Sequence, residues 1–171
     1  TPPSLSWFSL GAGARNRIPV TTDLNSAPSF SPDGKQVAYA GSVKGNPEIF
    51  VVGLDGSNPR RLTNSTAIDS SPRFAPNGRE IAFTSNRNGF WPQKGYTSPT
   101  LQLFVMDQDG SNVTPIAPMT ISSALHPTIL RDGRVAFSTH EDQGLRDTRL
   151  WGVWTIWPDG RHWAPLVSAF R

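Results

Sequence analysis

Short apolar runs alternate with turn-forming tripeptides along the chain, and this order repeats three times. The first turn of each unit is Pro32-Asp33-Gly34, Pro76-Asn77-Gly78 or Arg131-Asp132-Gly133. A second Asp-Gly pair follows at 55–56, 109–110 and 159–160. Gly supplies the positive φ that a tight hairpin requires. The flanking runs are rich in β-branched and aromatic residues and are too short for helices. The pattern therefore predicts four strands in each unit.

The spacing of the units fits the blades of a β-propeller. The units are 44 residues apart from Pro28 to Pro72 and 55 residues apart from Pro72 to Pro127. A strand-rich repeat of about 40–45 residues is typical of propeller blades. An insertion at 88–99 accounts for the longer second period. We predict an all-β fold, a propeller segment of about three and a half four-stranded antiparallel blades.

The predicted boundaries divide a single propeller segment, residues 1–171, into one half blade and three blades. They are 6–22 for the half blade, 27–63 for the first blade, 71–117 for the second with its insertion, and 126–167 for the third. Such a segment exposes apolar sheet surface. We therefore expect copies of the chain to complete the ring by self-association, with a two-fold dimer favoured. The alternative is a fragment of a longer gene product.

Composition supports this fold class and argues against several functions. With 15 Gly and 16 Pro there is little room for long helices, and six Trp and nine Phe argue against disorder. The net charge of +3 comes from dispersed cations, so we expect no nucleic-acid partner. No apolar run approaches the ~18 residues of a membrane span. The absence of Cys excludes disulfides, thiolate zinc sites and Cys nucleophiles.

The first unit resembles a known repeat family. Its string from Pro28 to Tyr39, followed by Ile49-Phe50-Val51-Val52 and by 55–63, is similar to the WD-like repeat of TolB-type propellers. Repeats of this kind also occur in the propeller domains of prolyl-oligopeptidase-type peptidases and in oligogalacturonate lyases. The resemblance implies a periplasmic or secreted location, although the chain shows no signal-peptide pattern.

The last unit resembles, more loosely, the propellers related to the hydrazine synthase alpha subunit. The residues that carry this similarity are 132–137, 140–142 and 149–151. No Cys-x-x-Cys-His motif is present, so the haem chemistry of that enzyme is not expected here.

A polar run at 139–149 replaces the short spacer of the first unit and is dense in acid, base and amide groups. A hairpin connection does not require such a composition. We name His140, Glu141, Asp142 and Arg146 as candidate catalytic residues, because they could perform acid–base chemistry at the mouth of the ring. The alternative is that these groups are solvated loop charges and Arg–Asp pairs that tie blades together.

Trp91, Arg149 and Trp151 are candidate ligand-binding residues, for a small polar molecule or a carbohydrate. Trp91 lies in the insertion and Trp151 in the last unit, where Trp154, Trp157 and Trp163 also lie. The alternative for these Trp residues is packing between blades or at an association surface.

The three histidines, His126, His140 and His162, form a candidate metal site. Three imidazoles suffice for an open zinc or copper centre, but none of these residues has a paired ligand spacing. Our main expectation is that no cofactor is required, with copper or zinc as the alternative. The sequence thus favours a binding and assembly module. The alternative is an enzyme, a metal-dependent oxidoreductase, hydrolase or lyase, with its pocket in the last blade.

Overall fold

The computed structural model describes residues 4–11, 13, 15–43, 45–91, 99–116, 123–140 and 151–167, with the backbone alone at Leu24 and His140. Within these ranges every regular element is a β-strand. The strands are β1 (Leu5–Phe8), β2 (Arg15–Ile18), β3 (Leu24–Phe30), β4 (Gln36–Ser42), β5 (Glu48–Gly53), β6 (Arg60–Arg61), β7 (Asp69–Phe74), β8 (Glu80–Ser85), β9 (Gln102–Asp107), β10 (Thr114–Pro115), β11 (Ala124–Ile129), β12 (Val135–His140), β13 (Trp151–Ile156) and β14 (Ala164–Val167).

The strands form one two-stranded sheet and three four-stranded sheets. Strands β1 and β2 pair first, and β3–β6, β7–β10 and β11–β14 then form one sheet each, with neighbours in chain order. Every pairing is antiparallel. The prediction of an all-β propeller segment with four-stranded antiparallel blades is therefore confirmed. In the described part of the chain, no helix is long and apolar enough to cross a membrane.

Turn chemistry closes the hairpins. At the β3–β4 turn, Gly34 has a φ of +67° and its amide donates to the Ser31 carbonyl oxygen at 2.9 Å. The Asp33 carboxylate accepts the Ser31 hydroxyl at 2.6 Å and the Lys35 amide at 3.1 Å. These bonds fix the turn that the Asp-Gly pair predicts.

The first strand of each four-stranded sheet carries a bulge before a proline. Ala27, Ser71 and His126 have positive φ values of 50°, 53° and 53°. The pairing register shifts at each of these positions. A positive φ is uncommon for a non-Gly residue. Its recurrence in all three four-stranded sheets indicates that the bulge is a regular part of the repeat.

Three apolar layers lie between successive sheets. Tyr39, Phe83 and Phe137 occupy the same position in β4, β8 and β12, and each is buried against the preceding sheet. Ala38 and Ala82, one residue earlier, face the following sheet. The two inner sheets, β3–β6 and β7–β10, thus contribute their two faces to two different layers, as strand alternation requires.

Candidate functional site

The last sheet places two of the predicted site residues opposite each other. His140 ends β12 and Trp151 begins β13, and the two are paired in the register of these strands. Glu141, Asp142, Arg146 and Arg149 lie between them, outside the described residues. Their catalytic and ligand-binding roles therefore stay predictions.

Trp91 and Trp151 are both accessible to a ligand. Their exposed fractions are 63% and 45%. Trp91 lies in the insertion at 88–99. The Thr100 amide, directly after the insertion, donates to the Phe90 carbonyl oxygen at 2.7 Å, so the two ends of the insertion lie close together. Residues 92–98 of the insertion lie outside the described part, and the ligand-binding role of the two Trp side chains is a prediction.

The histidines occupy separate structural settings. His126 lies at the bulge of β11, and its Nδ1 is 3.2 Å from the Ser138 Oγ. His162 has a φ of +53° and follows the turn between β13 and β14, where it is exposed. Among the described residues no group of three or more His, Cys, Asp or Glu could hold a metal ion. Because the His140 side chain is not described, the three-histidine metal site remains a prediction.

Among the residues that the structure describes, none packs as a further sheet on one face of the last sheet, whereas the same face of the two preceding sheets is covered. We call this face of the last sheet the terminal face and define it by Trp151 and Val153 of β13. The pair Ser138–Val153 corresponds in register to Ala40–Ile49 and Thr84–Leu103. Ile49 and Leu103 are both 0% exposed because the next sheet covers them, whereas Val153 is 37% exposed.

The polar groups beside the terminal face bond within their own sheet. The Thr155 hydroxyl donates to the Ala164 carbonyl oxygen at 3.2 Å and accepts from Arg134 Nη1 at 3.3 Å. Arg134 also pairs with Asp132 at 2.8 Å. This hydrogen-bonded ion pair lowers the pKa of the Asp132 carboxyl. The face is therefore an apolar strip with a paired charge at one end.

The other Trp residues of the last unit divide between packing and exposure. Trp163 contacts the Phe137 ring edge-on at 5.5 Å and the Trp154 ring at 5.4 Å. Trp154 packs against the layer between the last two four-stranded sheets. Packing between sheets, the alternative that we weighed for the Trp residues, therefore describes Trp154, whereas Trp163 is 36% exposed and contacts rings of its own sheet.

Sequence reasoning missed two buried carboxylates at the strand ends. Glu48, 2% exposed, accepts from Arg61 Nη2 at 2.9 Å, and Asp69, 0% exposed, accepts from Arg87 Nη2 at 2.7 Å. The Arg87 guanidinium also lies 5.1 Å from the centroids of the Phe83 and Phe104 rings. Comparison of the three units does not predict the buried Glu48, because the equivalent positions hold Gln102 in the second unit and Gly152 in the third.

Successive four-stranded antiparallel sheets with hairpin glycines in register define a β-propeller segment. The family model described as the TolB beta propeller domain matches residues 1–149. This chain belongs to that family, as its first repeat unit indicated.

Solved structures with the same fold agree with this assignment. TolB from Acinetobacter baumannii is 28% identical, with a TM-score of 0.77, over 98% of this chain and 38% of that one. The putative TolB from Agrobacterium tumefaciens is 23% identical, with a TM-score of 0.72, over 95% of this chain and 60% of that one. Hydrazine synthase from Kuenenia stuttgartiensis is 18% identical, with a TM-score of 0.78, over 94% of this chain and 28% of that one. At their identities the last two show the fold alone. The chain thus spans less than two thirds of each of these proteins.

Proposed function

We propose that this chain is a TolB-like binding and assembly module and that it associates with a second copy through its terminal face. The observation that carries this proposal is the exposure of Val153 at a position where Ile49 and Leu103 are fully covered. Apolar surface that leaves water on association contributes roughly 25 cal/mol per Å². Association that covers the terminal face is therefore favoured by the free energy of burying its apolar surface.

The opposite end of the stack offers a matching surface. Leu5 of β1 is buried in the first layer, so Phe8, which alternates with it, points away from that layer. Phe8 is 64% exposed. In a two-fold dimer the terminal face of one copy would contact the first sheet of the other, and this contact would occur twice. Interfaces between sheets within the chain have the same apolar character.

Solution mass tests the self-association directly. We expect light scattering to give twice the chain mass of 18.7 kDa. Val153→Glu places a charge in the terminal face and should give the monomer mass. Val43→Glu is the matched control, because Val43 is 54% exposed outside that face, and it should remain dimeric. A wild-type monomer at high concentration would contradict the self-association.

We also propose a periplasmic location and a small polar or carbohydrate ligand near Trp91 and Trp151. Because Trp151 belongs to the terminal face, a ligand at Trp151 would bind the free chain and compete with self-association, whereas a ligand at Trp91 would not. Similarity to TolB proteins supports the location. The two exposed indole rings support the ligand, since such rings present an apolar body with a polar N–H. Titration with a panel of oligosaccharides while Trp fluorescence is recorded tests this site. Trp91→Ala and Trp151→Ala should each weaken a true ligand. If both variants bind it like the wild type, this site is wrong.

A further inference from the structure

We propose that a cavity beside the second sheet binds a small aromatic monoanion such as an aryl carboxylate. The cavity holds about 480 Å³ and lies between the segment that follows β2 and strands β4–β6. Pro19 and Pro59 form part of its wall, Tyr39 and Phe50 line it, and Arg60 contributes a cation. We call it the proline-walled cavity. Its volume lies within the range of small-molecule sites.

Two stacked rings line the proline-walled cavity. The Tyr39 and Phe50 centroids are 5.6 Å apart with 22° between the ring planes. Tyr39 is 2% exposed, and the pair belongs to the apolar layer that contains Leu5 and Ile18. The rings are therefore held by packing before any ligand arrives. Tyr39 is buried, so the partly exposed Phe50 is the ring that a ligand would contact. Aromatic pairs favour offset-stacked or edge-on arrangements, and a ligand ring could adopt either against Phe50.

The repeat shows that this space is filled at the other two sheets. The residue three positions after the second turn glycine is Pro59 in the first unit, Val113 in the second and Trp163 in the third. Val113 packs against the core that contains the Phe83–Phe104 stack, and Trp163 covers Phe137. Proline at this position is short and rigid, and it leaves Phe50 partly exposed to the cavity.

Pro19, on the other wall of the cavity, lies against the turn glycine Gly56. A Cβ added at Gly56 would stand 2.2 Å from Pro19 Cγ, and one added at Gly110 would stand 2.7 Å from the Leu62 carbonyl oxygen. Pro19 thus approaches its turn glycine with its side chain, whereas Leu62 approaches Gly110 through its backbone. Ile18, one residue before Pro19, packs into the first layer, and Pro19 itself is exposed and lines the cavity.

The charge of Arg60 favours a ligand that carries a carboxylate. Arg60 and Arg61 both line the cavity, but Arg61 is paired with Glu48 at 2.9 Å. Arg60 is exposed. Its acidic neighbour is the exposed Asp109, and the charge of Arg60 is the weakest of the causes that lower the pKa of that carboxyl. A guanidinium binds carboxylate through two parallel N–H···O bonds. A ligand with an aromatic body and one carboxylate matches both the rings and Arg60.

Titration of the 171-residue chain with 2-naphthoate, followed by calorimetry and by NMR, tests the assignment. We expect saturable binding with one site per chain, at least tenfold weaker binding of the neutral 2-naphthalenemethanol, and at least tenfold weaker binding of 2-naphthoate to Arg60→Gln. Arg79→Gln is the matched control, because Arg79 is exposed and does not line the cavity. It should bind like the wild type. Absence of saturable binding, or equal affinity of Arg60→Gln, would overturn the proposal.

Filling the cavity provides a second, independent test. Pro59→Trp copies the third unit and should abolish binding, and Pro59→Phe should weaken it at least tenfold, while the far-ultraviolet circular dichroism stays that of the wild type. If Pro59→Trp fails to fold, Pro59→Phe still decides the outcome. Undiminished binding by a folded Pro59 variant would place the ligand elsewhere and overturn the assignment. The same titration on Val153→Glu separates this site from self-association, because the cavity does not include the terminal face.

Discussion

Asp33 shows how one turn residue couples charge to structure. The Ser31 hydroxyl, which donates to its carboxylate at 2.6 Å, is the main reason that the pKa of Asp33 lies below its ordinary value, and the Lys35 amide adds to it. In Ser31→Ala we expect this pKa to rise towards the ordinary value. Asp55, whose pKa is lowered mainly by Ser57, is the internal control and should not change. A carboxyl-detected NMR titration measures both residues.

The sign of the stability effect follows from the direction of the Asp33 shift. A lowered pKa in the folded state contributes stability at pH values above the unfolded pKa, and this contribution is lost as the pH falls through the folded value. Ser31→Ala should therefore lose this part of its stability at neutral pH but not in strong acid. Ser31 Oγ also accepts the Gln36 amide at 2.9 Å, and the loss of that bond is independent of pH. A Ser31→Ala effect of equal size at both pH values would contradict the coupling to Asp33.

We expect substitution of Glu48 to lower the free energy of unfolding substantially. It accepts hydrogen bonds from Arg61, from the Thr63 hydroxyl and from the Ser65 amide, and so joins β5 to the segment after β6. Glu48→Ala leaves these donors unpaired, and we expect a loss of about 2–3 kcal/mol in urea unfolding, since Arg61 is partly exposed and can be solvated. Glu48→Gln keeps an acceptor and should lose clearly less. Equal losses in the two variants would show that the bonds are not the cause.

At the scale of elements, the bulges before Pro28, Pro72 and Pro127 provide the sharpest test of backbone geometry. Ser71 has a φ of +53°. This region raises the conformational energy of L-residues by roughly 1–2 kcal/mol, and that of β-branched residues by more. Ser71→Val should therefore lose roughly 1–2 kcal/mol relative to Ser71→Gly in urea unfolding. Ser70→Val, one residue earlier in the same strand and outside the positive-φ set, is the matched control. Equal stability of the Val and Gly variants at position 71 would contradict the strained bulge.

The strands were predictable and the bulges were not, for a physical reason. Asp-Gly turns and short β-branched runs specify hairpins locally, so the sheets follow from the sequence. A bulge depends on pairing between two strands, and Ala27, Ser71 and His126 share no side-chain property that announces a positive φ. Proline after each of them was visible, but proline by itself favours an extended residue before it. The predicted third blade begins at His126, whereas β11 begins at Ala124 and contains His126.

The candidate site was predictable only where it follows the repeat. Comparison of equivalent positions identifies Pro59 as a departure in residue type. Val153 keeps the apolar type of Ile49 and Leu103 and departs from them only in exposure, which depends on the neighbouring sheet. That information comes from packing between sheets and not from the residues themselves. The networks of Glu48 and Asp69 depend on Arg61 and Arg87, which lie 13 and 18 residues away along the chain. No local spacing rule connects residues so far apart.

For the whole molecule, self-association makes stability depend on protein concentration. If the terminal face is covered only in the dimer, mass action adds stability as the chain becomes more concentrated. We expect the urea midpoint of the wild type to rise over a hundredfold increase in concentration, whereas the midpoint of Val153→Glu should stay constant. Val43→Glu should behave like the wild type, because its new charge lies outside the interface. A midpoint that rises equally in all three chains would show that a surface other than the terminal face makes the contact. A midpoint that is constant in all three would show that the sheets within one chain supply the whole stability of the fold.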